Sequence, residues 1–145
     1  RHGDANAIAP FVRREEKETN GCRMEKSRRV GVLTKRVIEL LELELPEGKD
    51  ILLGESNIGH MTTRHPEDFA LYGEYIPDIL REPDYVAQNK KDQSIEYVRE
   101  VEIEHAFVKV AVRVSTKGQL FARSVYRLNP NRVRSFIDKG NLKKY

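Results

Sequence analysis

From Asp84 onward apolar and polar residues alternate along short runs separated by turn residues, the pattern of strands with one buried face. Tyr85-Val86-Ala87, Ser94 to Val101, His105 to Ser115 and Gln119 to Leu128 are the four runs. Asn89 to Asp92 and Thr116-Lys117-Gly118 supply turns between them. In the third run Val108, Val110, Val112 and Val114 alternate with Lys109, Ala111 and Arg113, so the valines are expected in the core and the other face is polar and cationic. The third and fourth runs should pair as an antiparallel hairpin turning near Lys117-Gly118.

The preceding segment is punctuated for short helices. Ser56 and Asn57 offer N-caps to a helix reaching about Arg64. Pro66 disfavours helical geometry at His65 and suits the first position of a new helix, where Glu67 and Asp68 complement the positive helix end. That second helix carries Phe69, Leu71 and Tyr72 and stops near Gly73, and Tyr75 to Leu80 forms another short turn of helix bounded by Pro83. Further upstream, Val30 to Leu33 reads as a short strand, and Lys35 to Leu45 is compatible with helix or strand, its start favouring helix. Pro46-Glu47-Gly48 is a turn, and Ile51-Leu52-Leu53 is a buried strand or a loop anchor. After the strands, Asn129-Pro130-Asn131 caps a last helix containing Val133, Phe136 and Ile137 and ending at Gly140. The expected architecture is α+β: short N-terminal helices packed on a four-stranded antiparallel sheet, with a C-terminal helix.

Residues 1–27 are densely and alternately charged with few apolar anchors, so they read as a linker or a peripheral helix, and the domain is expected to occupy 28–145. A chain of 145 residues with 39% hydrophobic content suffices for one modest core. No apolar run approaches the 18 or so residues that a membrane-spanning helix needs, so no membrane partner is expected. Cys22 is the sole cysteine, which excludes an intramolecular disulfide framework and a zinc site built from several thiolates. The chain opens on Arg1 and not Met, which fits a piece of a larger phage or toxin protein whose site of action is expected to be the cytoplasm.

The formal charge of +3 suits a nucleic-acid partner, and its distribution sharpens the point. Between Lys109 and Lys144 basic residues recur while Asp138 is the sole acid. This is either a solvated strand-and-helix surface or a phosphate-binding one.

The segment His60-Met61-Thr62-Thr63-Arg64-His65-Pro66 can carry chemistry. On a helix His60 and Arg64 lie four apart and share a face, and His65 at the break can swing toward the same side. Two imidazoles and a guanidinium are the groups that RNA cleavage without a metal requires: a base for the ribose 2′-hydroxyl, an acid for the departing 5′-oxygen and a fixed positive charge for the anionic phosphorane. Histidine serves the first two because its ordinary pKa of about 6.5 leaves both forms accessible near neutrality. A histidine before proline is also commonly a packing or capping residue. Zinc is a rival role for His60 and His65, but no carboxylate or thiolate partner stands at matching spacing, so no metal or other cofactor is expected. His2 and His105 have no sequence partners and read as surface residues.

The stretch Ile58 to Val86, IGHMTTRHPEDFALYGEYIPDILREPDYV, followed by SIEYVREV, AFVKVAVRV and LFARSVYRL, resembles the phage nuclease families grouped with barnase, EndoU, colicin and RelE ribonucleases. The resemblance covers Val30 to Leu128, and the His-x-x-x-Arg-His-Pro and Pro-Asp-Tyr segments are its most specific parts. It implies an active site where a helix meets the sheet, with His60, Arg64 and His65 as catalytic candidates. It also places Arg99 at the basic position of the second strand, and Ser124 with Tyr126 at the polar position of the last. The family pattern has lysine more often at Arg99 and threonine more often at Ser124. Taken on their own, Arg99 reads equally as a solvent-facing strand residue, Ser124 as a small filler and Tyr126 as a half-buried strand aromatic. Together with Lys109, Arg99 and Tyr126 are the expected RNA contacts, and Ser124 joins the catalytic candidates. The implied activity is that of a metal-independent, toxin-type endoribonuclease cleaving RNA by transesterification to a 2′,3′-cyclic phosphate, with an inhibitor or immunity protein as a further partner. The alternative is a non-catalytic nucleic-acid- or protein-binding module of a phage or mobile element with the same fold.

Overall fold

The computed structural model describes residues 26–101 and 106–145. His2, Cys22, His105 and nearly all of the charged segment 1–27 lie outside the described residues. The element order is β1 (Ser27–Val32), α1 (Lys35–Leu41), β2 (Asp50–Gly54), α2 (Glu55–Arg64), α3 (Pro66–Tyr72), a 3₁₀ turn (Gly73–Tyr75) and α4 (Ile76–Arg81). Then follow β3 (Tyr85–Gln88), β4 (Ile95–Val101), β5 (Ala106–Val114), β6 (Leu120–Leu128), α5 (Pro130–Asp138) and β7 (Lys143–Lys144).

The expected α+β class and C-terminal helix are present, but the sheet has seven strands in the order β1-β2-β6-β5-β4-β3-β7 and is mixed. The expectation of four antiparallel strands behind N-terminal helices is therefore corrected. Its core, the antiparallel run from β3 to β6, is there. Two things enlarge it. The runs around Val30 and Ile51 form an antiparallel pair that joins the sheet through a parallel match of Ile51 to Leu120 and Leu52 to Phe121. At the other edge Lys143 and Lys144 pair with Val86 and Tyr85. β7 is held by backbone bonds and carries no apolar pattern by which to recognise it.

Local chemistry explains the boundaries. The Thr34 hydroxyl accepts the Val37 N–H at 3.4 Å and starts α1, which stops where Glu42 turns left-handed. Gly54 and not Ser56 is the N-cap of α2, and Asn57, three residues into the motif, accepts the Gly54 N–H at 2.8 Å. The β5–β6 hairpin closes through Gly118, whose φ of +83° suits a residue without a side chain, and its N–H donates to the Ser115 carbonyl at 2.9 Å.

Both faces of the sheet are covered. On the first, Val108, Val110 and Val112 are buried with Ile95, Tyr97 and Val125 beneath Val37, Met61, Tyr72 and Ile76 from α1 to α4. Val114, at the strand end beside the turn, is 40% exposed, so three of the four alternating valines are core. On the second face Ala87 and Val98 lie under Val133 of α5 and Leu142.

A β-bulge decides what the second face displays. Ala111 pairs with Ser124 but Val112 with Ala122, leaving Arg123 as the extra residue. Ala122 and Val125 are both buried despite being three apart, and Ser124, Tyr126 and Leu128 point with Lys109 to the second face. Because β2 matches β6 only at Leu120 and Phe121, the rest of that edge is left to α2 and α3, which pack against it. There the Asp68 carboxylate accepts the Arg127 N–H at 3.4 Å. The helices carrying the histidines thus lie where β6 has lost its strand neighbour.

Candidate active site

α2 places half-buried His60 one turn before exposed Arg64 and ends at His65. His65 has φ −140° and ψ 61°, outside helical geometry, and Pro66 restarts the chain as the first residue of α3. The break sends the His65 ring onto Tyr126 of β6, with centroids 5.0 Å apart and planes inclined by 22°. This stack is the join between helix and sheet.

From Tyr126 a polar chain crosses the second face. The Lys109 ammonium stands 5.0 Å from the Tyr126 ring centroid and 3.0 Å from Glu96 Oε2. Asn89 Nδ2 donates to that same carboxylate oxygen at 3.3 Å. Burial works against the Lys109 charge, but the hydrogen bond to Tyr126 and the Glu96 carboxylate outweigh it and raise its pKa above the ordinary lysine value.

His60 is shifted the other way. Desolvation is the largest cause, and the positive charges of Arg123, Arg64 and His65 add to it, so its pKa lies below 6.5 and the imidazole is mainly neutral at pH 7. Neither Arg64 nor Arg123 has a carboxylate partner among the described residues, so both charges are left for an incoming anion. The site therefore combines a mainly neutral imidazole, a second imidazole fixed by stacking and two guanidinium groups beside them. NMR titration should place the His60 midpoint below 6.5. Arg123→Ala should move it up, because a cation that disfavoured protonation is gone, but only part of the way, because the desolvation persists.

The structure brings together His60, Arg64, His65, Tyr126 and Lys109, and sets Ser124 on the same face as Tyr126, directly opposite Ala111. Arg99 does not join them. Its register partner is Val108, which fixes it on the first face, and its Nη1 donates to the Asp78 carbonyl in α4 at 3.2 Å. Three contributors escaped the sequence reading. Arg123 was signalled only by the slip in apolar phase between Ala122 and Val125. Glu96 and Asn89 acquire their roles through strand register, which no local pattern displays. Among the described residues no group of three or more His, Cys, Asp or Glu side chains is placed to hold a metal, and no helix is long and apolar enough to cross a membrane.

No curated protein and no solved structure matches the chain. A family model described as phage-barnase-EndoU-colicin E5/D-RelE-like nuclease 3 does match, over residues 28–135, a span that holds every side chain of the site just described. Most of the chain lies within that match, and it belongs to this phage-associated family of nuclease-like domains.

Proposed function

We propose that this nuclease-like domain is an endoribonuclease that cleaves RNA by transesterification. The observation that carries the reading is the stack of His65 on Tyr126, which seats the histidine helix against the cationic part of β6. In the proposed step His60 takes the proton of the ribose 2′-hydroxyl, and the 2′-oxygen attacks the adjacent phosphorus. The bond from phosphorus to the 5′-oxygen breaks, and His65 delivers a proton to that oxygen. The products are a 2′,3′-cyclic phosphate and a 5′-hydroxyl. Arg64 and Arg123 offset the charge that gathers on the phosphorane, and Lys109, paired with Glu96, holds Tyr126 and through it His65 in place. Ser124 lies on the same face, where its hydroxyl can donate to a phosphate oxygen. Support comes from the lowered His60 pKa, which supplies the base form at neutral pH, and from the family's nuclease character. A domain acting so would be toxic to the cell in which it is active and would require an inhibitor protein as partner.

The test is incubation of the purified chain with total RNA in EDTA, with end-group analysis of the fragments. Cleavage that persists, leaves 2′,3′-cyclic phosphates and spares a 2′-deoxy substrate is the expected result. Loss of activity in EDTA, or cutting of the 2′-deoxy strand, overturns the mechanism. RNA binding without cleavage would return the domain to the class of non-catalytic binding modules.

A further inference from the structure

Away from the histidines, at the β3 edge of the sheet, a cavity of about 800 Å³ lies between the end of α1, β3 and the segment that follows α5. That volume falls in the range of small-molecule sites, about 300–1,000 Å³. We propose that it receives one nucleotide of the RNA strand being cut, beyond those that flank the scissile bond. The proposal rests on the ribonuclease reading and adds to it a second recognition point.

The lining has the chemistry of a base site. Leu40 and Leu41 form an apolar wall, Phe136 offers an aromatic ring, and Gln88 and Asn141 bring amide donors and acceptors. Lys90, Lys91 and Lys143 also line it, against the acids Glu42 and Glu96. Glu96 is already matched by Lys109 at 3.0 Å, so the balance at the cavity is cationic and suits a phosphate.

The lysines are presented on a fixed turn. Asn89 Oδ1 accepts the N–H groups of Lys91 at 2.8 Å and Asp92 at 3.2 Å, and Asp92 Oδ1 accepts the Ser94 N–H at 2.9 Å. Bonds from Asn89 N–H to the Ser94 carbonyl at 2.9 Å and from Gln93 N–H to the Asn89 carbonyl at 2.8 Å close it. Order of this kind before binding reduces the entropy cost of gripping a flexible strand.

Strand register relates the cavity to the candidate active site. Ser124, Ala111, Glu96 and Ala87 stand directly opposite one another across β6, β5, β4 and β3. Three strand intervals at about 4.8 Å each put Ser124 and Ala87 about 14 Å apart. Ser124 and Ala111 are small and half-buried, and Ala87 at the far end of the row lies under Val133 and Leu142. Glu96 belongs to both ends, bonded to Lys109 on one side and lining the cavity on the other.

The experiment uses the full chain and 2′-O-methyl RNA oligomers, which cannot be cleaved, from dinucleotide to hexanucleotide, with Kd read by calorimetry. One stacked base is worth about 1–3 kcal/mol, so affinity should rise roughly 5- to 150-fold between the shortest and longest oligomers. The double variant Lys90→Ala with Lys91→Ala, and separately Phe136→Leu, should remove most of that gain and leave dinucleotide affinity and dinucleotide cleavage unchanged. Equal weakening of dinucleotide and hexanucleotide overturns the proposal in favour of general electrostatic attraction, and hexanucleotide binding untouched by either variant overturns it outright. Free nucleoside 5′-monophosphates form a separate arm: their loss from the variants with hexanucleotide affinity intact would assign the cavity to a free nucleotide and sink the RNA assignment. Length-dependent binding in a chain that does not cut the matching unmodified RNA would leave the cavity assigned and reject the ribonuclease reading.

Discussion

Alanine in place of His60 or His65 is expected to slow RNA cleavage by about 10²- to 10⁴-fold, the usual cost of losing one positioned proton-transfer group. Neither change should unfold the domain, because both rings are only half-buried and neither belongs to the hydrophobic core. His65→Ala also removes the stack on Tyr126, which by itself is worth about 0.5–1.5 kcal/mol of packing. His65→Phe separates the two contributions, since phenylalanine can stack and cannot transfer a proton. A fluorogenic RNA assay with circular dichroism of the same samples should find His65→Phe folded like wild type and as slow as His65→Ala. Recovery of activity in His65→Phe would make the residue a positioning group. The double variant should be little worse than either single one, as in sites whose members act as a unit.

The second large effect concerns stability. Lys109 and Glu96 pair at 3.0 Å with each side chain only 14% exposed, so Glu96→Ala leaves an ammonium with little access to water. Breaking a fully buried pair costs about 3–5 kcal/mol, and the remaining exposure lowers the expected loss to roughly 2–3 kcal/mol, read as a lower urea midpoint. Adding Lys109→Met should restore most of the stability, since an apolar chain of similar length fills the site without a charge. The pH dependence has a definite sign. Lys109 titrates above its ordinary value of 10.5, so its contribution is whole below that value and disappears as pH rises through the folded one. The alkaline loss should be blunted in Glu96→Ala.

These two experiments touch parts of the molecule that were unequally visible in the sequence. The turn at Gly118 and the proline-forced break at His65 are local signals that appear in the structure where the pattern placed them, and the valine alternation holds for three of its four members. The width of the sheet was not local. Ile51 and Leu120 are far apart in the chain, and nothing in either run announces that they lie side by side in parallel. Lys143 and Lys144 form a strand although their composition argues against one. At the site, His60, Arg64 and His65 were legible because helix spacing ties them together. Arg99 and Lys109 looked alike as basic strand residues, and only the register of β4 on β5 parts them, sending one to the Asp78 carbonyl and the other to Glu96.

The extra residue at Arg123 gives β6 a property that concerns counting and not chemistry. Because side chains along a strand take turns, the number of residues that pair between Ala122 and Tyr126, and not the number present, determines which side of the sheet the tyrosine reaches. Were all five residues from Ala122 to Tyr126 to enter strict alternation, the result would be a reading-frame error in space: every chemical group would still be encoded, yet Val125 and Tyr126 would exchange sides, whereas deletion of Arg123, the residue outside the ladder, would keep both where they are. A mutational library that varies length by single residues should therefore find the loss of Arg123 better tolerated than the loss of a residue from the paired stretches on either side of it.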